Sequence, residues 1–230
     1  MLPIGDDDSD RQITPIVNYI LIAANILVFI FLQGMGSNEH FTYAFSTVPA
    51  EILTGHDIAT HGLQPTPVPV YFTLLTSMFM HGSWAHLGGN MLFLWIFGDN
   101  IENRQGHSRY LIFYLVCGII ASLSHVFISG ASNLIPSLGA SGAISGVLGG
   151  YILLFPNRKV KVFVGRGITE VPAFVALGIW IVFQVISGLG MLGGEAAGGG
   201  GVAYAAHIGG FAAGLLLVKL FDKGTKMAAS

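Results

Sequence analysis

Four residues in this chain have the types and spacing to do chemistry together. Ser141 sits in Gly-Ala-Ser-Gly-Ala-Ile-Ser-Gly over 139–146, and His207 sits in Ala-His-Ile-Gly-Gly-Phe-Ala-Ala-Gly over 206–214. His86 and Asn90 lie four apart within His-Gly-Ser-Trp-Ala-His-Leu-Gly-Gly-Asn over 81–90, on one face of any helix that carries both. A serine hydroxyl is a weak nucleophile until a base takes its proton, and histidine is the side chain tuned to do so near neutral pH. The acids near these segments are Asp99 and Glu102, beyond Asn90, and Glu195 in a glycine-rich link. None suits the orienting role of a triad acid, so the pattern reads as a Ser–His dyad. A tetrahedral oxyanion needs hydrogen-bond donors. His86, Asn90 and the unpaired amides of a helix opening at Ser141 can supply them, aided by the helix dipole. The soluble-hydrolase elbow G-x-S-x-G does not fit, because Gly142 comes one residue early and no strand precedes Ser141.

These residues need elements to hold them, and composition says which. Of 230 residues 53% are hydrophobic and 10% charged, against about 25% charged in an ordinary soluble domain. Six apolar spans are predicted, at about 14–33, 79–101, 110–129, 141–155, 171–192 and 203–221. All but the fourth are near the ~20 residues that cross a bilayer. The expected fold is all-α, a polytopic six-helix membrane domain over 14–221 with a first loop at about 34–78 and a cap loop at about 193–202. It is preceded by a short acidic segment, 1–13, and followed by a tail, 222–230. With six spans all 10 Lys and Arg residues fall on one side, and the positive-inside rule puts both termini in the cytoplasm. The acidic N-terminal segment resembles neither a secretory signal nor a transit peptide, so the first span reads as a retained anchor in a prokaryotic cell membrane.

Helices two, four and six then run in the same direction, so His86, Asn90, Ser141 and His207 all come from the outer part of their helices. Polar side chains inside a membrane are expensive and face a bundle interior or a water-filled cavity. The glycines admit a blander reading as packing residues: Gly142, Gly146 and Gly150 recur every four residues, and Gly210 and Gly214 share a face with His207. The two readings join, since close helix approach is what a hydroxyl-to-imidazole hydrogen bond between helices four and six requires. Cys117 is the single cysteine, so no intrachain disulfide forms. His40, His56 and His61 in the first loop fit no metal-ligand spacing, and His107 and His125 read as structural. No metal, cofactor, nucleotide or nucleic acid is expected; the partners are the bilayer and membrane proteins within it.

In this arrangement the chain resembles the rhomboid intramembrane serine proteases. Gly139-Ala140-Ser141-Gly142 is similar to their G-x-S-G motif, 81–90 to their H-x-x-x-x-H-x-x-x-N pattern on the second helix, and 206–214 to A-H-x-x-G-x-x-x-G on the sixth. Glu102 and Gly106 resemble the E-x-x-x-G segment after helix two. The resemblance implies Ser141 as nucleophile, His207 as general base, His86 and Asn90 at the oxyanion, and His81 and the motif glycines, Gly139 among them, in support. It also implies cleavage of other membrane proteins in or beside a membrane span, usually after a small residue, without metal or cofactor. The first loop would lie partly in the outer leaflet, and 193–202 would act as a mobile cap. Two departures stand out. Ser145 occupies a position where some relatives carry an aromatic that supports the histidine, so that support is absent here or comes from elsewhere, with Tyr204 as a candidate. The first loop also lacks the W-R pattern of some members.

Two rival readings use the same residues. A catalytically inactive relative serving as a binding or trafficking module generally loses the serine or histidine, and both are present here. A channel or transporter would also gather polar residues at one depth. The outer half of the spans carries no carboxylate, and no inverted repeat is detectable.

Overall fold

The apolar runs fold as helices, and one irregularity falls where a side chain takes over backbone hydrogen bonding. The computed structural model describes residues 1–60, 63–192 and 203–223. Strand β1 (Leu2–Asp6) precedes α1 (Ile16–Leu27), which widens into a π turn over Val28–Leu32. The long first connection is largely ordered into α2 (Glu39–Ala44), α3 (Pro49–Thr54) and the one-turn α4 (Thr73–Thr76). Helix α5 (Trp84–Phe93) runs through a second π turn, Leu94–Gly98, into α6 (Asp99–Gln105). Then come α7 (His107–Ser129), α8 (Ser141–Leu154), β2 (Lys159–Val164), β3 (Gly167–Pro172), α9 (Ala173–Leu192) and α10 (Tyr204–Phe221). The expected cap loop at about 193–202 lies outside the described residues, as does the tail beyond Lys223.

The π turn after α5 has an identifiable cause. The Asn18 side-chain amide donates to the Leu94 carbonyl at 2.9 Å, and its oxygen accepts from the Tyr110 hydroxyl at 2.7 Å. A side chain inserted into the helical ladder shifts its register. Gly98 makes room, since a Cβ there would collide with the Asn18 amide. The E-x-x-x-G segment is explained in the same physical terms. The buried Glu102 carboxylate accepts from the amides of Val17 and Asn18 at 3.0 and 2.7 Å, capping α1 from another helix. Gly106, at φ +73°, is the left-handed hinge between α6 and α7.

The all-α expectation is corrected in one place: the fold is mostly helical with a three-stranded antiparallel sheet. β1 pairs with β2 (Leu2 opposite Phe163) and β2 with β3 (Phe163 opposite Ile168). The basic segment Lys159-Val160-Lys161-Val162 alternates exposed and buried residues with the period of a strand, and Gly165 at φ +61° turns the hairpin. A second correction concerns helix two, expected from residue 79. It begins at Trp84, because Met80 is extended and the Ser83 hydroxyl caps the helix by accepting from the His86 amide at 3.1 Å. His81 therefore precedes the helix.

By length and composition, α7 and α10 are each able to cross a membrane; the apolar helices Ile16–Leu32, Ser141–Leu154 and Ala173–Leu189 are shorter. The segments bearing most of the basic residues meet at one end of the bundle. There Arg104 pairs with Asp222, Arg11 with Asp99 and Arg158 with Asp10. Asp6 of β1 is half-buried at this end, accepting from Tyr151 and, at 2.9 Å, from Asn100. Burial, and then the neighbouring carboxylates Asp99 and Asp8, outweigh the Tyr151 hydrogen bond and push its pKa up to about 7. A carboxyl raised in the folded state contributes stability below its unfolded pKa and loses it as pH rises through the folded value. Asp6→Asn is therefore expected to flatten the decline in unfolding temperature between pH 5 and 8, leaving the variant a few degrees more stable at pH 8. Equal pH slopes for the two proteins in thermal unfolding would refute this.

The centre of the bundle is α8, whose residues from Gly142 to Tyr151 are all buried. It packs on α7 and α10 through glycine. A Cβ at Gly210 would strike the Gly142 carbonyl, and one at Gly214 the Gly146 carbonyl, so the backbones of α8 and α10 touch directly. On its other side, a Cβ at Gly142 would lie 2.7 Å from the Ala121 methyl, and one at Gly146 would collide with Cys117 on α7.

Candidate active site

Ser141 is the first residue of α8 and His207 lies in the first turn of α10. The glycine contacts bring these two helix starts together, and Ser141 Oγ lies 2.8 Å from His207 Nε2. The backbone before the serine is tightly held. Gly139 has φ +121°, a conformation that favours glycine, and a Cβ there would lie 2.8 Å from the His86 ring. Its amide donates to the Ser77 carbonyl at 2.8 Å, and Ser137 forms an antiparallel bridge with Thr47. The first connection therefore anchors the loop that presents Ser141. Neither Ser77 nor Thr47 stood out in the sequence, because hydroxyls in a long loop carry no periodic signal.

His86 projects from the first turn of α5 to Gly139, the second residue before Ser141. The amides of Ser141, Gly142 and Ala143 open α8 and have no partner within the helix. Asn90 is buried, with its amide nitrogen 2.9 Å from His81 Nε2. His81 is fully buried, and the Gln33 side chain clamps its backbone: Gln33 Oε1 accepts from the His81 amide and Nε2 donates to its carbonyl, both at 2.9 Å. His81 and His86 meet ring edge to face at 5.1 Å. Gln33, His81, Asn90 and His86 thus form a polar path ending beside Gly139. A hollow of about 20 Å³ lies against Ser141, bounded by Met78, Gly118, Ser122, Gly142 and Ala206, enough for one water or one small group.

The histidine ring is held from α9. His207 Nδ1 lies 2.7 Å from Gln184 Oε1, the Trp180 ring centre is 6.0 Å away at 34°, and Tyr204 meets the ring edge-on at 6.5 Å. Ser145, where some rhomboids carry an aromatic, is buried and donates to the Ser141 carbonyl at 2.6 Å. Trp180 and Tyr204 therefore flank the ring in this chain. Sequence reading missed Gln184, though a signal was present: it is the lone side-chain amide in a helix whose other polar side chain is Ser187.

A sequence model of the Rhomboid domain matches residues 69–223. The chain belongs to the rhomboid family. Similar rhomboids include "Rhomboid protein 1, mitochondrial" of Saccharomyces cerevisiae, 32% identical over 231 residues that cover 88% of this chain and 63% of that protein. "Rhomboid protease GluP" of Bacillus subtilis is 31% identical over 185 residues, covering 78% of this chain and 33% of the relative. "Presenilin-associated rhomboid-like protein, mitochondrial" of Homo sapiens is 30% identical over 156 residues, 67% of this chain and 36% of the relative. This rhomboid spans between a third and just under two thirds of the length of these relatives. They are mitochondrial as well as bacterial, so kinship favours neither compartment. Rhomboids are membrane proteins, in keeping with the two helices able to cross a bilayer.

Proposed function

We propose that this rhomboid is an intramembrane serine endopeptidase that cleaves membrane proteins in or beside a membrane span. The observation that carries the reading is the 2.8 Å approach of Ser141 Oγ to His207 Nε2, a nucleophile within hydrogen-bond reach of a base. In the proposed reaction Oγ attacks the scissile carbonyl carbon, Nε2 takes the hydroxyl proton, and the carbonyl π pair moves to oxygen. His86, Asn90 and the first-turn amides of α8 stabilise that oxyanion. Collapse breaks the C–N bond, and Nε2 returns the proton to the leaving amine. Water, activated by the same base, then hydrolyses the acyl-enzyme.

The depth of the site supports an intramembrane reaction. Helix α8 has 14 residues, about 21 Å at 1.5 Å per residue against roughly 30 Å of hydrocarbon. With Leu154 near the charged end of the bundle, Ser141 falls short of the opposite surface. In the six-span, both-termini-inside arrangement, that surface is the outer one. The small hollow beside Ser141 supports a small side chain next to the cleaved bond. A larger hollow of about 240 Å³, lined by Phe93 of α5, by Leu177, Trp180 and Gln184 of α9 and by Met1 and Pro3 of the N-terminal segment, supports access to the site between α5 and α9.

Fluorophosphonate labelling tests the reading. Detergent-solubilised protein is expected to form an adduct that Ser141→Ala abolishes, whereas an inactive relative or a pore would form none that depends on Ser141. Oxyanion donors are partly redundant, so His86→Ala and Asn90→Ala are each expected to retain activity while losing no more than roughly 10²–10³-fold in kcat, measured on a single-span substrate. Wild-type kcat in both variants would remove them from the oxyanion site.

A further inference from the structure

The reaction described above uses Nε2 of His207 and leaves Nδ1 unassigned. That nitrogen lies 2.7 Å from Gln184 Oε1, one helix away. An amide oxygen only accepts, so Nδ1 carries the proton. A neutral imidazole has one N–H, so the Nε2 lone pair is left facing the Ser141 hydroxyl. Trp180, Gln184 and Gly188 are spaced by four along α9 and meet α10 together. Trp180 lies against His207 and Phe211, and a Cβ at Gly188 would be 3.2 Å from the Tyr204 Cβ. The small residue admits α10 closely enough for the amide to reach the ring.

We propose that Gln184 is the positioning residue of the general base, a neutral substitute for the acid of a triad. This rests on the serine-protease reading of Ser141 and His207. No proton passes to Gln184. When Ser141 Oγ attacks, its proton moves to Nε2 and the ring becomes an imidazolium. The Nδ1–H···Oε1 hydrogen bond then becomes charge-assisted and strengthens in the transition state more than in the resting enzyme. The titratable side chains facing the ring are His86 from α5, His125 from α7 and Tyr204 from its own helix. Among the described residues no carboxylate contacts it, so an acid introduced at 184 would be the first counter-charge there.

The test compares the full-length wild type with Gln184→Met, which keeps the shape and loses the acceptor, and with Gln184→Glu, which keeps only acceptors. In ¹⁵N-histidine spectra the wild-type His207 ring is expected in the Nδ1–H form, the Met variant as a mixture of tautomers, and the Glu variant in the Nδ1–H form again. On a single-span substrate, Gln184→Met is expected to lose roughly 10–100-fold in kcat with KM unchanged. Gln184→Glu is expected to restore activity and move the acid limb of the rate profile to higher pH by about one unit or more. A tautomer distribution that is the same in wild type and Gln184→Met overturns the proposal, whatever the activity. An unmoved acid limb in an active Glu variant does so as well. Ser141→Ala is run in parallel. If it cleaves like the wild type, the protease reading fails, and the spectra still decide whether Gln184 sets the tautomer.

Discussion

Ser141→Ala is expected to lower cleavage of a single-span substrate by at least about 10⁴-fold, and His207→Ala by a similar factor, with the double variant no slower than either single one. The non-additivity follows from the 2.8 Å contact. Without the hydroxyl the base has no proton to take, and without the base the hydroxyl stays protonated and weakly nucleophilic. Each substitution removes the same step. Any residual rate in the three variants would come from His86, Asn90 and the α8 amides, which still polarise a bound carbonyl. Initial rates with purified protein and one substrate across the four proteins decide the matter. Multiplying losses in the double variant would mean that the two residues act independently, and the dyad would fall. Both substitutions are sterically mild. Ser141→Ala removes one oxygen at a helix start, and His207→Ala empties a site flanked by Trp180 and Tyr204 without touching the glycine contacts. Unfolding temperatures near wild type are therefore part of the expected result.

What was legible in the sequence followed from local rules. Ser141 and His207 read as partners because each stands at the start of a helix running the same way, beside glycines spaced for close packing. The hairpin Lys159–Pro172 was legible in principle, since period-two alternation and Gly165 mark it, but the same residues also read as a basic loop. What was not legible depends on which helices meet. Gln184 has meaning only once α9 lies against α10, and Gln33 only once the end of α1 reaches the turn holding His81. The π turn over Leu94–Gly98 has no local cause; it exists because Asn18, 76 residues away, takes the Leu94 carbonyl. The delayed start of helix two was missed for a different reason. An apolar run through Phe79 and Met80 looks helical until the Ser83 cap is weighed against it.

Gly214→Ala is expected to destabilise the protein by about 3 kcal/mol and to cost most of its activity, although the residue lies two helical turns from His207. The added methyl would strike the Gly146 carbonyl, and backbone cannot rotate away as a side chain can. Helices α8 and α10 must part, and the separation passes along two stiff elements to the turn where Ser141 meets His207. A misplacement of about 1 Å between reacting groups is enough for roughly 10²-fold in rate. Gly146→Ala is the informative comparison: its methyl would meet the Cys117 Cβ, so α7 rather than α10 is the helix displaced, and a smaller loss of activity is expected. Gly178→Ala is the control: nothing lies within 4 Å of a Cβ there, and alanine improves helix propensity by up to about 1 kcal/mol. Thermal unfolding in detergent, with labelling of Ser141 and cleavage rates on the same preparations, should rank the variants Gly178, Gly146, Gly214 in order of increasing damage. If Gly214→Ala matched Gly178→Ala in both stability and rate, direct backbone contact between α8 and α10 would not be what holds the nucleophile to its base. The small residues around the serine and histidine would then have to act through some other contact.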